Sequence, residues 1–216
     1  TVVNRPCFGT ILKRGYFFGT SATMCAQLAR PFLLDTPVAL TLPRIILASK
    51  LGKGTIGVEF GGLQANIWAP ATALKDCPTC AVQNLLPVYV FFHGGAFVFG
   101  SSHLHVQTGE YLAAQGKCIV ISCNYRLGAL GYLQVPGKTS NCGLRDQLEA
   151  LRWVKRNARF FGGNPENITI SGQSAGAMSC GALMAVPAVY EEGLAQKVMM
   201  ISGTGQYTQT PQDATE

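Results

Sequence analysis

The pentapeptide Gly172-Gln173-Ser174-Ala175-Gly176 limits what this chain can fold into more than any other stretch. Before it runs Ile168-Thr169-Ile170, and after it come the small residues of Ala175 to Val186. That pattern predicts a strand, a tight turn centred on Ser174 and then a helix. Such a turn strains the backbone of the serine, and bulky residues two positions to either side would clash. Glycine at 172 and 176 removes the clash and lets strand and helix approach closely. The serine hydroxyl is lifted clear of the sheet, and the N–H of Ala175 stands free at a helix N-terminus.

The surrounding sequence alternates in the same way. Pro87 to Phe92 is a short apolar run that reads as a buried strand, followed by a glycine-rich loop from His93 to Ser102. Residues 106–116 read as a helix ending at Gly116, and Cys118 to Cys123 as the next buried strand. A helix over 143–159, capped by Asn141, would place Leu144, Leu148, Leu151 and Val154 on one face. Gly162-Gly163-Asn164-Pro165 reads as the turn that stops it, and Val198 to Ile201 as a further strand. Val38 to Leu47 and Thr55 to Trp68 are candidate antiparallel strands. Strands alternating with helices give an α/β fold, a mostly parallel sheet with flanking helices.

With 48% hydrophobic and 13% charged residues, the chain has the material for a sizeable core and is not a disordered one. The formal charge of +6 raises the question of nucleic acid. However, the densest basic run, Arg145 to Arg159, also holds Asp146 and Glu149 and reads as the solvated face of one helix. No nucleic-acid partner is expected. Eight cysteines show no disulfide-framework spacing. Cys118 and Cys123 read as buried thiols. Cys77-Pro-Thr-Cys80 lacks the second ligand pair of a zinc site, so a local disulfide or free thiols are expected there and no metal. In the first 50 residues Arg30, Asp35, Pro37, Pro43 and Arg44 interrupt every long apolar run, so no stable membrane span is expected. The sequon Asn167-Ile168-Thr169 lies where a strand begins and reads as structural. Secreted and cytoplasmic settings both stay open, and nothing in the sequence sets the oligomeric state.

A second chemical element is His93-Gly94-Gly95-Ala96-Phe97, directly after a buried strand. Its glycines let successive N–H groups point into one cavity, as an anion nest requires. With these two runs, Asn124-Tyr-Arg-Leu-Gly128, Gly143-Leu-Arg-Asp-Gln147 and Phe161-Gly-Gly-Asn-Pro165 make the segment from about Leu85 to Gly203 resemble the carboxylesterase/cholinesterase (type B) family. Gln64-Ala-Asn-Ile-Trp-Ala-Pro70 is a fainter match. The resemblance implies an α/β-hydrolase fold, with Ser174 as the acylated nucleophile and the N–H groups of Gly95, Ala96 and Ala175 as the oxyanion hole. It also implies a small-molecule ester substrate and no metal or organic cofactor. His93 would belong to the oxyanion loop and not be the base, and Ser202 matches a serine that supports the triad acid. Gln173 stands where the family commonly has glutamate. A neutral amide there removes a negative field, so uncharged esters are expected over cationic ones.

The triad order in this fold is serine, acid, histidine. After Ser174 the acids are Glu191, Glu192, Asp213 and Glu216, and no histidine follows; the last is His105. The expectation is a C-terminally incomplete hydrolase, a fragment, a truncated chain or a degenerate copy, whose acid and histidine lie elsewhere. Residues 1–55 would be a poorly matched segment and 56–216 the N-terminal part of the hydrolase domain. The family's Gly-Ile-Pro-Tyr-Ala-like run is not found, and Gly62 stands where its disulfide cysteine would be. His103 or His105 as an unorthodox base is the lesser alternative. A non-catalytic cholinesterase-like interaction domain is a rival reading, opposed by the retained serine and oxyanion glycines. An inactive fragment with an uncovered sheet edge is another.

Overall fold

The structure is a computed structural model and describes residues 2–6, 63–70, 73, 85–102, 104, 107–205 and 208. The candidate strand Val38 to Leu47, most of Thr55 to Trp68, the Cys77 and Cys80 pair, His103 and His105 lie outside the described residues. Six strands form one sheet: β1 (Val2–Pro6), β2 (Ala65–Pro70), β3 (Leu86–Phe92), β4 (Ile119–Cys123), β5 (Gly163–Gln173) and β6 (Lys197–Ile201). Their order is β1-β2-β4-β3-β5-β6. The strands β4, β3, β5 and β6 run parallel, while β1 and β2 add antiparallel neighbours at one side. Parallel neighbours need crossovers, and helices supply them: α1 (Glu110–Gly116), α2 (Gly128–Tyr132), α3 (Cys142–Asn157), α4 (Ala175–Met184) and α5 (Pro187–Glu191).

The main core lies on the sheet face that carries α3 and α4. Val88, Val90 and Phe92 of β3, Ile119 and Ile121 of β4, and Ile168 and Ile170 of β5 meet Leu151, Val154, Cys180 and Leu183 there. Burying each such aliphatic side chain contributes roughly 1.5–3 kcal/mol. The opposite face has a smaller cluster of Trp68, Val120, Cys118 and Ala113, the last on α1, with Tyr89 against it.

Several boundaries differ from the sequence reading. The helix expected over 106–116 begins only at Glu110. Asn141 does not cap α3 through its side chain; it sits at φ 52°, and only its carbonyl is used, accepting from the Arg145 N–H at 3.0 Å. Gly162 does end the helical segment, in a left-handed conformation, but Gly163-Asn164-Pro165 already belongs to β5. The pairing of β3 with β5 shifts register between Leu86 and Val88, and that irregularity accommodates a proline that cannot donate to the ladder. The short α2 and α5 were not anticipated. The buried stripe of α3 is Gly143, Gln147, Ala150, Leu151 and Val154, with Leu144 and Leu148 only half-buried beside it. A polar residue therefore occupies the centre of the face read as leucine-lined. No helix among the described residues is long and apolar enough to cross a membrane.

The basic run of α3 is largely ion-paired. Arg152 grips Glu192 at 2.6 Å, Arg156 meets Glu149 at 3.0 Å, and Lys155 meets Glu166 at 2.9 Å. Cys118, Cys123, Cys142 and Cys180 are free thiols, and burial pushes the Cys123 thiol up to about 12.

Candidate active site

β5 delivers Gln173 to the edge of the sheet, and the chain then reverses at Ser174 into α4. Ser174 takes φ 53° and ψ −120°, a conformation that an L-residue holds only when its surroundings impose it. The surroundings do so from two sides. The Ser174 N–H donates to the Ile201 carbonyl of β6 at 2.9 Å, and the Ser174 carbonyl accepts from the Met178 N–H at 3.0 Å. Glycine is required on both flanks: a Cβ on Gly172 would overlap the Gly176 backbone, and one on Gly176 would overlap the carbonyl of Phe92. The elbow is thus wedged against the end of β3, where the second element begins.

That second element lies directly against the first. A Cβ on Gly94 would come within 2.6 Å of Gln173 Oε1 and 3.2 Å of Ser174 Cβ. Gly95, Ala96 and Phe97 follow at φ 127°, 53° and 62°, three successive residues on the positive side of φ. The turn is closed by the N–H groups of Val98 and Phe99, which donate to the Gly95 carbonyl at 3.0 and 3.1 Å. Ala96 is exposed and Gly95 half-buried, so this loop faces solvent beside Ser174. Ala175 begins α4, where first-turn N–H groups have no intrahelical partner. Ser174, Gly94, Gln173 and the start of α4 thus share one corner, at the C-terminal ends of β3 and β5.

The loop is held from beneath. His93 is 1% exposed, its ring stacks on Tyr125 at 4.5 Å, and the Tyr125 hydroxyl donates to the His93 carbonyl at 2.6 Å. Its Nδ1 lies 2.9 Å from the Gly94 carbonyl, which can only accept, so Nδ1 carries the proton. Burial lowers its pKa to about 4, although the Gly94 contact opposes that fall. The Gly128 N–H donates to the Phe97 carbonyl at 2.7 Å. At the far end of the loop the Ser102 N–H donates to Asn124 Oδ1 at 2.7 Å, and Asn66 Nδ2 donates to the Ser102 carbonyl at 2.8 Å. Asn124 and Tyr125 were visible in the sequence only as a matching run. Ser202 is exposed at φ 55°, just beyond β6. No group of three His, Cys, Asp or Glu side chains able to hold a metal occurs among the described residues.

A doubly flanked, mostly parallel sheet with a serine on a strained strand-to-helix turn and a glycine loop against it defines an α/β-hydrolase. The pattern of the Carboxylesterase family matches residues 49–214, and the chain belongs to that family. It is 44% identical over 156 residues to para-nitrobenzyl esterase of Bacillus subtilis (strain 168), covering 70% of this chain and 29% of that protein. To acetylcholinesterase of Danio rerio it is 48% identical over 122 residues, covering 55% of this chain and 18% of that one. Among solved structures, a thermophilic para-nitrobenzyl esterase superposes with a TM-score of 0.67 at 39% identity, covering 80% of this chain and 34% of that chain. The chain spans less than a third of the length of the curated relatives it matches.

Proposed function

We propose that this chain carries the nucleophile and oxyanion site of a carboxylic-ester hydrolase. The observation behind the reading is Ser174, held at φ 53° between strand and helix with Gly94 of the nest-like loop beside its Cβ. Ser174 Oγ attacks the ester carbonyl carbon, and the carbonyl oxygen takes the negative charge. The N–H groups of Gly95, Ala96 and Ala175 receive that charge; oxyanion donors of this kind are worth about 10²–10³ in rate each. Collapse expels the alcohol and leaves an acyl-serine, which water then hydrolyses. A base must take the serine proton, and among the described residues no imidazole is placed to do so. His93 is buried neutral with its Nδ1 proton directed at the Gly94 carbonyl.

Gln173 Oε1 lies over Gly94, so the side chain before the nucleophile adds no charge at the acyl site. The reading therefore favours uncharged esters. With imidazole added as an external base to take the serine proton, a fluorophosphonate should label the chain once, at Ser174, and Ser174→Ala should abolish the label; labelling elsewhere, or none in imidazole, refutes the assignment. With a matched neutral and cationic phosphonate pair, Gln173→Glu should shift preference toward the cationic probe. An unchanged ratio would remove the substrate argument while leaving the nucleophile intact.

A further inference from the structure

Among the buried polar groups with no part in the mechanism above, Gln147 is linked to the elbow through Ser179. Gln147 lies in the middle of α3 and is wholly buried, surrounded by Gly143, Ala150 and Leu151 on its own helix face. Its Nε2 donates to Ser179 Oγ at 3.1 Å, and Ser179 Oγ in turn donates to the Ala175 carbonyl at 2.9 Å. A helical serine bonding to the carbonyl four residues back is commonplace by itself. The donation from another helix is not. Because Gln147 supplies a hydrogen to Oγ, the hydroxyl's own proton is directed to the Ala175 carbonyl. With Nε2 facing Ser179, Oε1 has no hydrogen-bond partner among the described residues.

A half-satisfied buried amide is costly to folding, because the group left unpaired loses its water without gaining a partner. A leucine at 147 would fill a similar space among apolar neighbours without that cost. The amide is therefore not explained by stability, and its only described link runs to the first residue of α4. We propose that Gln147 is a positioning residue of the oxyanion site, acting through Ser179 to fix Ala175. Resting on the esterase reading above, the inference assigns the relay a role in the covalent step. Ser179 holds the carbonyl end of Ala175, and the other end of that residue is the N–H that would meet the developing charge. Small angular errors in such a donor cost rate without weakening encounter with the ligand.

The test uses the 216-residue chain and a fluorophosphonate in imidazole buffer, which supplies the base, with the saturable encounter (KI) separated from the covalent rate (kinact). Gln147→Leu and Ser179→Ala should each lower kinact about tenfold, short of the 10²–10³ that loss of a whole donor brings. KI should stay at the parent value. The double variant should fall no further than either single one, because both cut the same relay. The melting temperature of Gln147→Leu should be unchanged or raised. Val154→Ala, a core truncation on the same helix, should lose stability yet keep the parental kinact. If the parent labels and both relay variants label at its rate, the positioning role is wrong and the esterase reading stands. Equal slowing in Val154→Ala would also overturn it, since ordinary packing would then suffice. A parent that does not label at all sinks the esterase reading and this role together.

Discussion

Burial holds the His93 imidazole neutral down to about pH 4, against an ordinary value of 6.5. Between those two values the unfolded chain takes up a proton that the folded chain refuses, so stability falls as pH drops through that window. The displacement corresponds to roughly 3 kcal/mol. The urea midpoint of the parent should therefore fall between pH 6.5 and 4 more steeply than that of His93→Gln. Parallel curves would mean that the imidazole is not held neutral. Residue identities at this corner were legible because the chemistry demands them: only glycine fits at 172, 176 and 94, and a serine between strand and helix has few other readings. The buried ring of His93 was assigned to the loop only by resemblance. Its stacking on Tyr125 depends on residues 32 positions apart, which no local pattern encodes.

At the scale of elements, α3 is where local reading and tertiary packing part company. Leucine spacing predicted a stripe through 144 and 148, and the helix turns instead to bury Gly143 and Gln147. The reason is close approach: a Cβ at 143 would overlap the Arg126 carbonyl, so this face alone admits the loop after β4. The neighbouring Asp146 then receives Arg126 in bidentate fashion, Nε at 2.8 Å and the terminal nitrogen at 2.7 Å, together with the Arg126 backbone N–H at 3.0 Å. Successive residues of α3 thus hold the loop leading to Gly128 and the start of α4. Charge-assisted bonds of this kind are worth roughly 1.5–3 kcal/mol where buried. The Arg126 side chain is 28% exposed, which puts Asp146→Asn at about 1–2 kcal/mol. Equilibrium unfolding in urea would measure it, and a variant as stable as the parent would show that solvent screens the pair. The strand boundary at Gly163 was misread for a related reason. Gly-Gly-Asn-Pro signals a turn locally, and only pairing with β3 reveals an irregular strand.

Across the whole sheet, the parallel direction of β3 to β6 followed from alternation of strands and helices, but the order of the strands and the fate of the last one did not. β6 pairs with β5 on one side, and no strand among the described residues pairs with its other side. Val198, Met199, Met200 and Ile201 are each 38% to 52% exposed, unlike the fully buried Ile170 beside them. Apolar periodicity cannot distinguish such a strand from a central one. Strands with so little burial are expected to open locally at lower free energy than the core.

The bond from the Ser174 N–H to the Ile201 carbonyl ties the elbow to that exposed strand. The nucleophile therefore works like a fuse placed at the rim of an otherwise solid sheet. On warming, fluorophosphonate labelling should fade while Trp68 and Trp153, both buried, still report an intact interior. If the two signals were lost at one temperature, the rim would be as strong as the centre. If they separate, whatever covers β6 governs when the serine is fit to react, without touching the chemistry itself.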